Sequence, residues 1–309
     1  MNIVPDNKEL TIRDGVLRTL LYYDIWHYPL SSAELYMFLP VNTISLDEFR
    51  RCLGKVTDGN IIRQYNDYYF VRGIDKPVVQ QRSRKEKHAR HLWRMARFFM
   101  HIIKRFPYVR AVFVSGDLSK NATTRNSDVD FFLLTEPGKL WITRTLLIAF
   151  KKIFLFNKKK YFCLNYLATT DHLRTEEENI FVATEIAHLK PLYNLPLFQA
   201  YLDANTWIKN YFPNFDLRMM SHSKVSNKKS ALQKMFETIL NRLPTESIDR
   251  YLQAKMEQIW QSRYPEFEES VRKKIFRSTR DESRAYVGNF EEKILALYSQ
   301  KLQDFGLKP

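Results

Sequence analysis

The chain is poor in the residues that define several protein classes. Two cysteines, Cys52 and Cys163, are too few for a disulfide framework or an all-cysteine zinc site, and each reads as a small buried thiol. With 8 glycines and 12 prolines in 309 residues, collagen and Gly-rich low complexity are excluded. There is no Walker A loop, no Rossmann Gly-x-Gly-x-x-Gly and no Gly-x-Ser-x-Gly elbow. The longest apolar stretch, Leu140 to Phe156, is broken by Arg144, Lys151 and Lys152. It falls short of the roughly 20 mostly apolar residues that a spanning helix needs. A basic amphipathic surface helix is the other reading of that stretch. Met1 to Asp14 is polar and has no signal-peptide core. The paucity of cysteines fits a reducing, cytoplasmic location, which is the expectation.

What is present describes a globular protein. Apolar residues make up 45% and charged residues 27%, against disorder and fibrous repeats. At roughly 100–200 residues per domain, two or three domains are expected. The net charge is +15, and its distribution is uneven. Residues 1–75 carry 8 basic and 10 acidic side chains, residues 76–160 carry 20 and 5, and residues 161–309 carry 21 and 19. The whole excess lies in the middle segment. Such a field attracts polyanions: nucleotides, nucleic acid or acidic head groups. The plainer reading is a solvated basic helix over Arg82 to Arg105.

Along the chain, Asp14 to Asp24 reads as a helix with Leu17, Leu20 and Leu21 on one face. Ser31 and Glu34 form a capping box whose helix should end at Pro40. Ser45 and Glu48 form a second, whose helix should stop at Asp58-Gly59. Ile61 to Tyr65 and Tyr68 to Val71, around Asn66-Asp67, carry a hairpin signal. Three short helices and a hairpin resemble, in architecture, a winged helix-turn-helix module over residues 1–75. The resemblance implies DNA binding, but the module is net negative, and packing or dimerisation is the simpler role.

A basic connecting helix, Arg84 to Phe106, follows within residues 76–106. His88 and His91 on it have metal-ligand spacing but cationic neighbours, which disfavour a metal. Val109 to Ser115, Val129 to Thr135 and Tyr161 to Thr169 read as strands. Lys139 to Phe156, Thr175 to Leu189 and Leu197 to Tyr211 read as helices, and His172 and His188 as ordinary loop or helix residues. Ser221 to Ser230 is the linker candidate between residues 107–220 and a C-terminal helical region, residues 221–309.

The chemistry is concentrated between Val112 and Leu134. An apolar strand ends in Ser115-Gly116, a polar loop follows, and a second strand opens with Ser127-Asp128-Val129-Asp130. Side chains two apart on a strand share a face, so the carboxylates of Asp128 and Asp130 project together, with Val129 turned away. Two hard oxygen ligands at a strand edge suit Mg²⁺ (or Mn²⁺), completed by water and phosphate oxygens. Gly116 lets the backbone approach a phosphate closely.

This stretch resembles the hallmark of the DNA polymerase β-type nucleotidyltransferase superfamily: a hydrophobic strand, Gly-Ser, a loop, then Asp-x-Asp. The resemblance is strong over about 25 residues and extends by element order to about residue 215. It implies an α/β fold with a mixed sheet and helices. It also implies metal ions held by Asp128 and Asp130, and a triphosphate cradled by Ser115, Gly116, Asp117 and Ser127. The implied reaction transfers a nucleotidyl group from an NTP to a small-molecule or protein acceptor. Two positions depart from the pattern. Asp117 stands where the family usually has Ser, where a carboxylate repels phosphate or binds metal instead. The later strand that usually supplies a third carboxylate has none; Asn165 within it or Asp171 just past its end are the replacements on offer. Two further readings stand beside the enzyme: a lapsed homologue that binds nucleotide, nucleic acid or a protein partner, and a winged-helix DNA-binding regulator.

Overall fold

The structure, a computed structural model, describes residues 11–41, 44–71, 77–158, 160–216, 225–228, 230–284 and 290–308. Thr11 caps α1 (Ile12–Asp24), its hydroxyl accepting the Asp14 N–H. The two-residue strand β1 (Leu30–Ser31) leads into α2 (Ser32–Met37), and α3 (Leu46–Val56) follows. Both capping boxes form: Glu34 accepts the Ser31 N–H at 2.8 Å and Glu48 the Ser45 N–H at 3.0 Å. α2 ends at Met37, short of Pro40, because the proline pushes Leu39 toward extended backbone and Phe38 already leaves the helix. Past α3, Gly59 at φ 72° turns the chain, and Asp58 accepts three successive N–H groups, of Asn60, Ile61 and Ile62. The hairpin is β2 (Ile62–Tyr65) and β3 (Tyr68–Val71), with β1 added on the far side of β3. Two residues give no alternation, so β1 has no signature in the sequence.

α4 (Pro77–Ile103) begins seven residues before the expected start, since proline fits a first helical turn and Val79 and Arg82 are buried. Arg82 fastens α4 to the first module. It pairs with Glu34 at 2.7 Å and Glu86 at 2.9 Å, and lies over the rings of Tyr28 and Tyr68.

The central elements are β4 (Val109–Ser115), the single turn α5 (Gly116–Ser119), β5 (Asp130–Thr135), α6 (Leu140–Phe154), β6 (Cys163–Thr169), α7 (Ile180–His188), β7 (Lys190–Tyr193) and α8 (Leu195–Ala204). A 3₁₀ turn at Thr206–Asn210 follows, then α9 (Ala231–Leu240), α10 (Thr245–Arg263), α11 (Glu269–Ile275), β8 (Glu282–Arg284) and α12 (Phe290–Asp304). The sheet order is β7-β4-β5-β6-β8. Among the described strands of this sheet, only β5 and β6 pair in parallel, joined through α6; the other strand pairs are antiparallel. The chain is thus a mixed α/β protein, as expected. α7 is shorter than the expected Thr175 to Leu189, because Asn179 caps it by accepting the Val182 N–H. Asp249 of α10 accepts the Ile142 N–H at 2.8 Å and so sets the start of α6.

Two strands of this sheet lie outside the sequence expectation. β7 holds Pro191, which hides it, and proline sits there at a sheet edge. β8 reads Glu-Ser-Arg, with no apolar residue, and lies inside the region expected to be helical throughout; it closes the sheet against β6. Of the expected linker, residues 221–224 and 229 lie outside the described residues. Its Ser226 bridges to Tyr193 beside β7.

Alternation divides the sheet's side chains between two cores. Val112, Val114, Phe131, Leu133 and Leu167 meet Leu92 and Phe99 of α4 and Trp141 and Leu147 of α6. Ala111, Phe113, Phe132 and Leu134 meet Ile186 of α7 and Phe198 and Tyr201 of α8. That second core runs without a break into the first module, reaching Leu20, Phe38 and Phe49. Full burial of each valine, leucine, isoleucine or phenylalanine among them contributes about 1.5–3 kcal/mol.

Candidate functional site

The end of β4 lies beside the start of β5. Ser115 pairs directly with Asp130 across the antiparallel ladder, so the two side chains share a face. Pairing continues one residue before β5: Val129 donates its N–H to Lys160 at 2.9 Å, and its carbonyl accepts the Cys163 N–H at 3.0 Å. Val129 is wholly buried in the core beneath α4 and α6. Asp128 and Asp130 on either side of it are half-buried.

Asp130 is the electrostatic centre. Burial pushes its carboxyl up from 3.8 to about 6, and repulsion from Asp128, Asp117 and Glu185 adds to the rise. A hydrogen bond from the Cys163 thiol works the other way. The thiol is itself pushed up to about 12, by burial first and then by Asp130, so it stays protonated and donates. An acid whose ionised form is disfavoured by other carboxylates gains from a cation among them.

Gly116 takes φ 63°, a left-handed conformation that glycine adopts at little cost. The space beside it is taken by a protein group. A β-carbon there would lie 2.5 Å from Oδ2 of Asp130. Close approach to a phosphate was the expectation; the group that approaches is the Asp130 carboxylate. The loop that follows is stapled. Ser127 is buried, donates its hydroxyl to Asp117 at 2.7 Å and accepts the Thr124 N–H at 2.9 Å. Asp117 and Ser127, both expected at the phosphate, are therefore engaged with each other.

The two replacements for a third acid part company. Asn165 is the extra residue of a bulge in β6, between Leu164, which pairs with Phe131, and Tyr166, which pairs with Phe132. Its side-chain amide donates to the Ser115 hydroxyl at 3.4 Å, which brings it to the site. Asp171 does not reach it. β6 runs parallel to β5 with Cys163 beside Asp130 and Thr169 beside Thr135, so Asp171 lies past the opposite end. Five strand steps of ~3.3 Å put it roughly 17 Å or more from Asp130.

Two residues that the sequence left out stand close by. Cys163 is the hydrogen-bond partner of Asp130. Glu185 of α7 lines, with Ser115, Phe132, Tyr166 and Tyr201, a small cleft on the same face of the sheet. Its signal in the sequence was a lone carboxylate in the apolar run Ile180 to Leu189. Lys120 forms an ion pair with Glu185 and accepts, through its carbonyl, the Tyr28 hydroxyl at 2.7 Å. The first module therefore touches the site.

The donor chemistry suits a hard divalent cation: two carboxylates, Asp128 and Asp130, with the amide of Asn165 nearby. Among the described residues, no group of three His, Cys, Asp or Glu side chains is arranged to hold one ion. The fit is to a cation held by one or two carboxylates and completed by water and phosphate oxygens, which Mg²⁺ accepts. Among the described residues, no helix is long and apolar enough to cross a membrane. Comparison of the chain with protein-family models, with curated proteins and with solved structures finds no match.

Proposed function

We propose that this chain is a Mg²⁺- or Mn²⁺-dependent nucleotidyltransferase that moves a nucleotidyl group from an NTP to a small-molecule or protein acceptor. The observation that carries the reading is the placement of Asp130, with Asp128 two residues before it, directly across from Ser115 and against Gly116 at the junction of the two motif strands. Asp128 and Asp130 would hold the cation. When bound, it neutralises phosphate charge and polarises the reacting phosphorus. The chain's own residues prepare that place. The Cys163 thiol fixes the Asp130 carboxylate, and Asn165 orients the Ser115 hydroxyl. Glu185, in the cleft wall, offers a carboxylate to take a proton from an acceptor hydroxyl. The basic field of residues 76–160 concentrates the anionic nucleotide.

One observation favours a second reading, a lapsed homologue that binds nucleotide without transfer. Asp117 and Ser127 bond each other and leave fewer donors for a triphosphate. DNA binding by residues 1–75 draws less support, since Arg50 pairs with Asp47 and Arg13 with Asp58 of the same module. The test is incubation with each labelled NTP and Mg²⁺ or Mn²⁺. Transfer predicts pyrophosphate release that Asp128→Asn and Asp130→Asn abolish. Binding without release selects the lapsed homologue. Absence of both refutes the two readings together.

A further inference from the structure

We infer that the C-terminal end of α6 and the turn after it form a docking tip for an anionic phospholipid surface. Three large apolar side chains stand in water there: Ile153 is 67% exposed, Phe154 64% and Phe156 83%. Soluble surfaces carry single apolar residues without consequence, but a cluster of this kind marks an interaction site. Lys152, Lys158 and Lys160 around it are exposed as well. No Asp or Glu occurs between Glu136 and Asp171, so no neighbour in sequence neutralises them.

The backbone presents this cluster at a conformational cost. Phe156 and Asn157 take φ 49° and 59°, and the Asn157 N–H closes the helix end by donating to the Lys151 carbonyl at 3.1 Å. Glycine is the usual residue at such a left-handed helix end. A bulky phenylalanine there is an outlier, and its ring points into solvent. The tip is also joined to the core by ring contacts. The Phe154 ring lies 5.0 Å from that of Phe150, which in turn meets Phe106 and Phe162 in the core. Its far side is tied to the candidate site, because the Lys160 carbonyl accepts the Val129 N–H.

Charge complementarity and side-chain type choose the partner. The lysines suit any polyanion, but Ile153 has no flat face to stack on a base, and a phosphodiester backbone gains nothing from three apolar side chains. An anionic bilayer takes both, the apolar groups below its head groups and the lysines among them. Attachment is peripheral, in keeping with the absence of a spanning helix among the described residues. The inference does not rest on the transferase reading.

The test is sedimentation of the full chain with phosphatidylcholine vesicles, with and without about one-third phosphatidylserine. Capture by the anionic vesicles alone, weakened by salt, is expected. Lys152→Gln with Lys158→Gln should weaken it roughly tenfold or more, because each basic side chain at such a surface is worth about fivefold. Ile153→Ser, Phe154→Ser and Phe156→Ser combined should abolish it while the thermal melt stays like that of wild type. If that variant does not fold, Phe156→Trp gives the readout: an added emission component that shifts to shorter wavelength only with anionic vesicles. No capture at low salt overturns the inference, as does equal capture of a folded serine variant or an unshifted tryptophan. Tight duplex-DNA binding with no vesicle capture would make the partner nucleic acid instead. Self-association that the serine variant abolishes, again without vesicle capture, would make it a second copy of this chain.

Discussion

The Oδ2 atom of Asp130 occupies the space that a β-carbon on Gly116 would need, 2.5 Å from the ideal position. The contact links the two halves of the motif physically. The strand that ends in Ser115 must turn through a left-handed residue, and the strand that opens at Asp130 sends its carboxylate into the gap so left. The glycine thereby fixes where the charge sits.

Gly116→Ala should therefore cost more than its backbone conformation alone. The left-handed conformation costs a residue with a β-carbon about 1–2 kcal/mol. The added methyl must also displace the Asp130 carboxylate. Urea denaturation should show a loss of at least about 1 kcal/mol, and a divalent-metal titration should weaken in the same variant. Wild-type behaviour in both would mean that Asp130 does not pack on this glycine.

Asp130→Asn should stabilise the protein, and more so at high pH. The folded carboxyl is raised from 3.8 to about 6. An acid raised on folding binds more protons in the native state between those values, so stability falls as pH rises through that window and stays lower above it. Two pH units correspond to roughly 3 kcal/mol. Asparagine keeps an acceptor for the Cys163 thiol and removes the charge. Denaturation midpoints at pH 4 and pH 8 decide it: the gain over wild type should be small at the first and approach that figure at the second. A less stable variant at pH 8 would show that burial and the neighbouring carboxylates do not raise Asp130 in this way.

The parts of this site that were legible in sequence are the local ones. Ser115 closes and Asp130 opens two strands whose Val and Phe content identifies them, and Gly116 and Asp128 lie just beyond those strand ends. The two capping boxes likewise read directly from Ser and Glu at three-residue spacing. What was not legible depends on register and on distant pairing. Asp171 looks near in the chain, but the parallel register of β5 and β6 carries it to the opposite end of the sheet. Cys163 and Glu185 reach Asp130 from a strand and a helix more than 30 positions downstream, and no local pattern encodes that. β8 is a strand because it pairs with β6 and is buried, not because Glu-Ser-Arg favours one.

The Asp117–Ser127 hydrogen bond should show as a coupling energy. Bonds to a charged group are worth about 1.5–3 kcal/mol when well shielded, and Asp117 is exposed, so a value near 1 kcal/mol is expected. A double-mutant cycle over Asp117→Ala and Ser127→Ala measures it by denaturation. If the staple also keeps these side chains from a phosphate, Asp117→Ser should tighten Mg-NTP binding by about tenfold, which is roughly 1.4 kcal/mol. Weaker metal binding in that variant would instead make Asp117 a ligand. No change would place the nucleotide away from this loop.

The last prediction concerns His188, where the first module meets α7. A hydrogen bond of 2.7 Å joins its Nε2 to the Tyr23 hydroxyl, and its ring lies 4.7 Å from that of Phe38. Burial, and then the positive charges of Lys120, Lys190 and Arg82, hold its pKa well below 6.5. It stays neutral in the native state, while the unfolded chain takes up a proton below about 6.5. Stability is then full above that value and is lost as the solution is acidified, by up to about 1.4 kcal/mol per pH unit. Asp130 acts with the opposite sign between about 6 and 3.8, so the wild-type profile alone cannot isolate the histidine. The difference between wild type and His188→Gln can. Glutamine offers Tyr23 a partner and has no proton to gain, so its profile from pH 7 to pH 5 should be flatter by roughly 2 kcal/mol. Parallel profiles would mean that the native state accommodates the imidazolium. A difference of the expected sign would place an acid-sensitive joint between Tyr23 of the first module and the helix that carries Glu185.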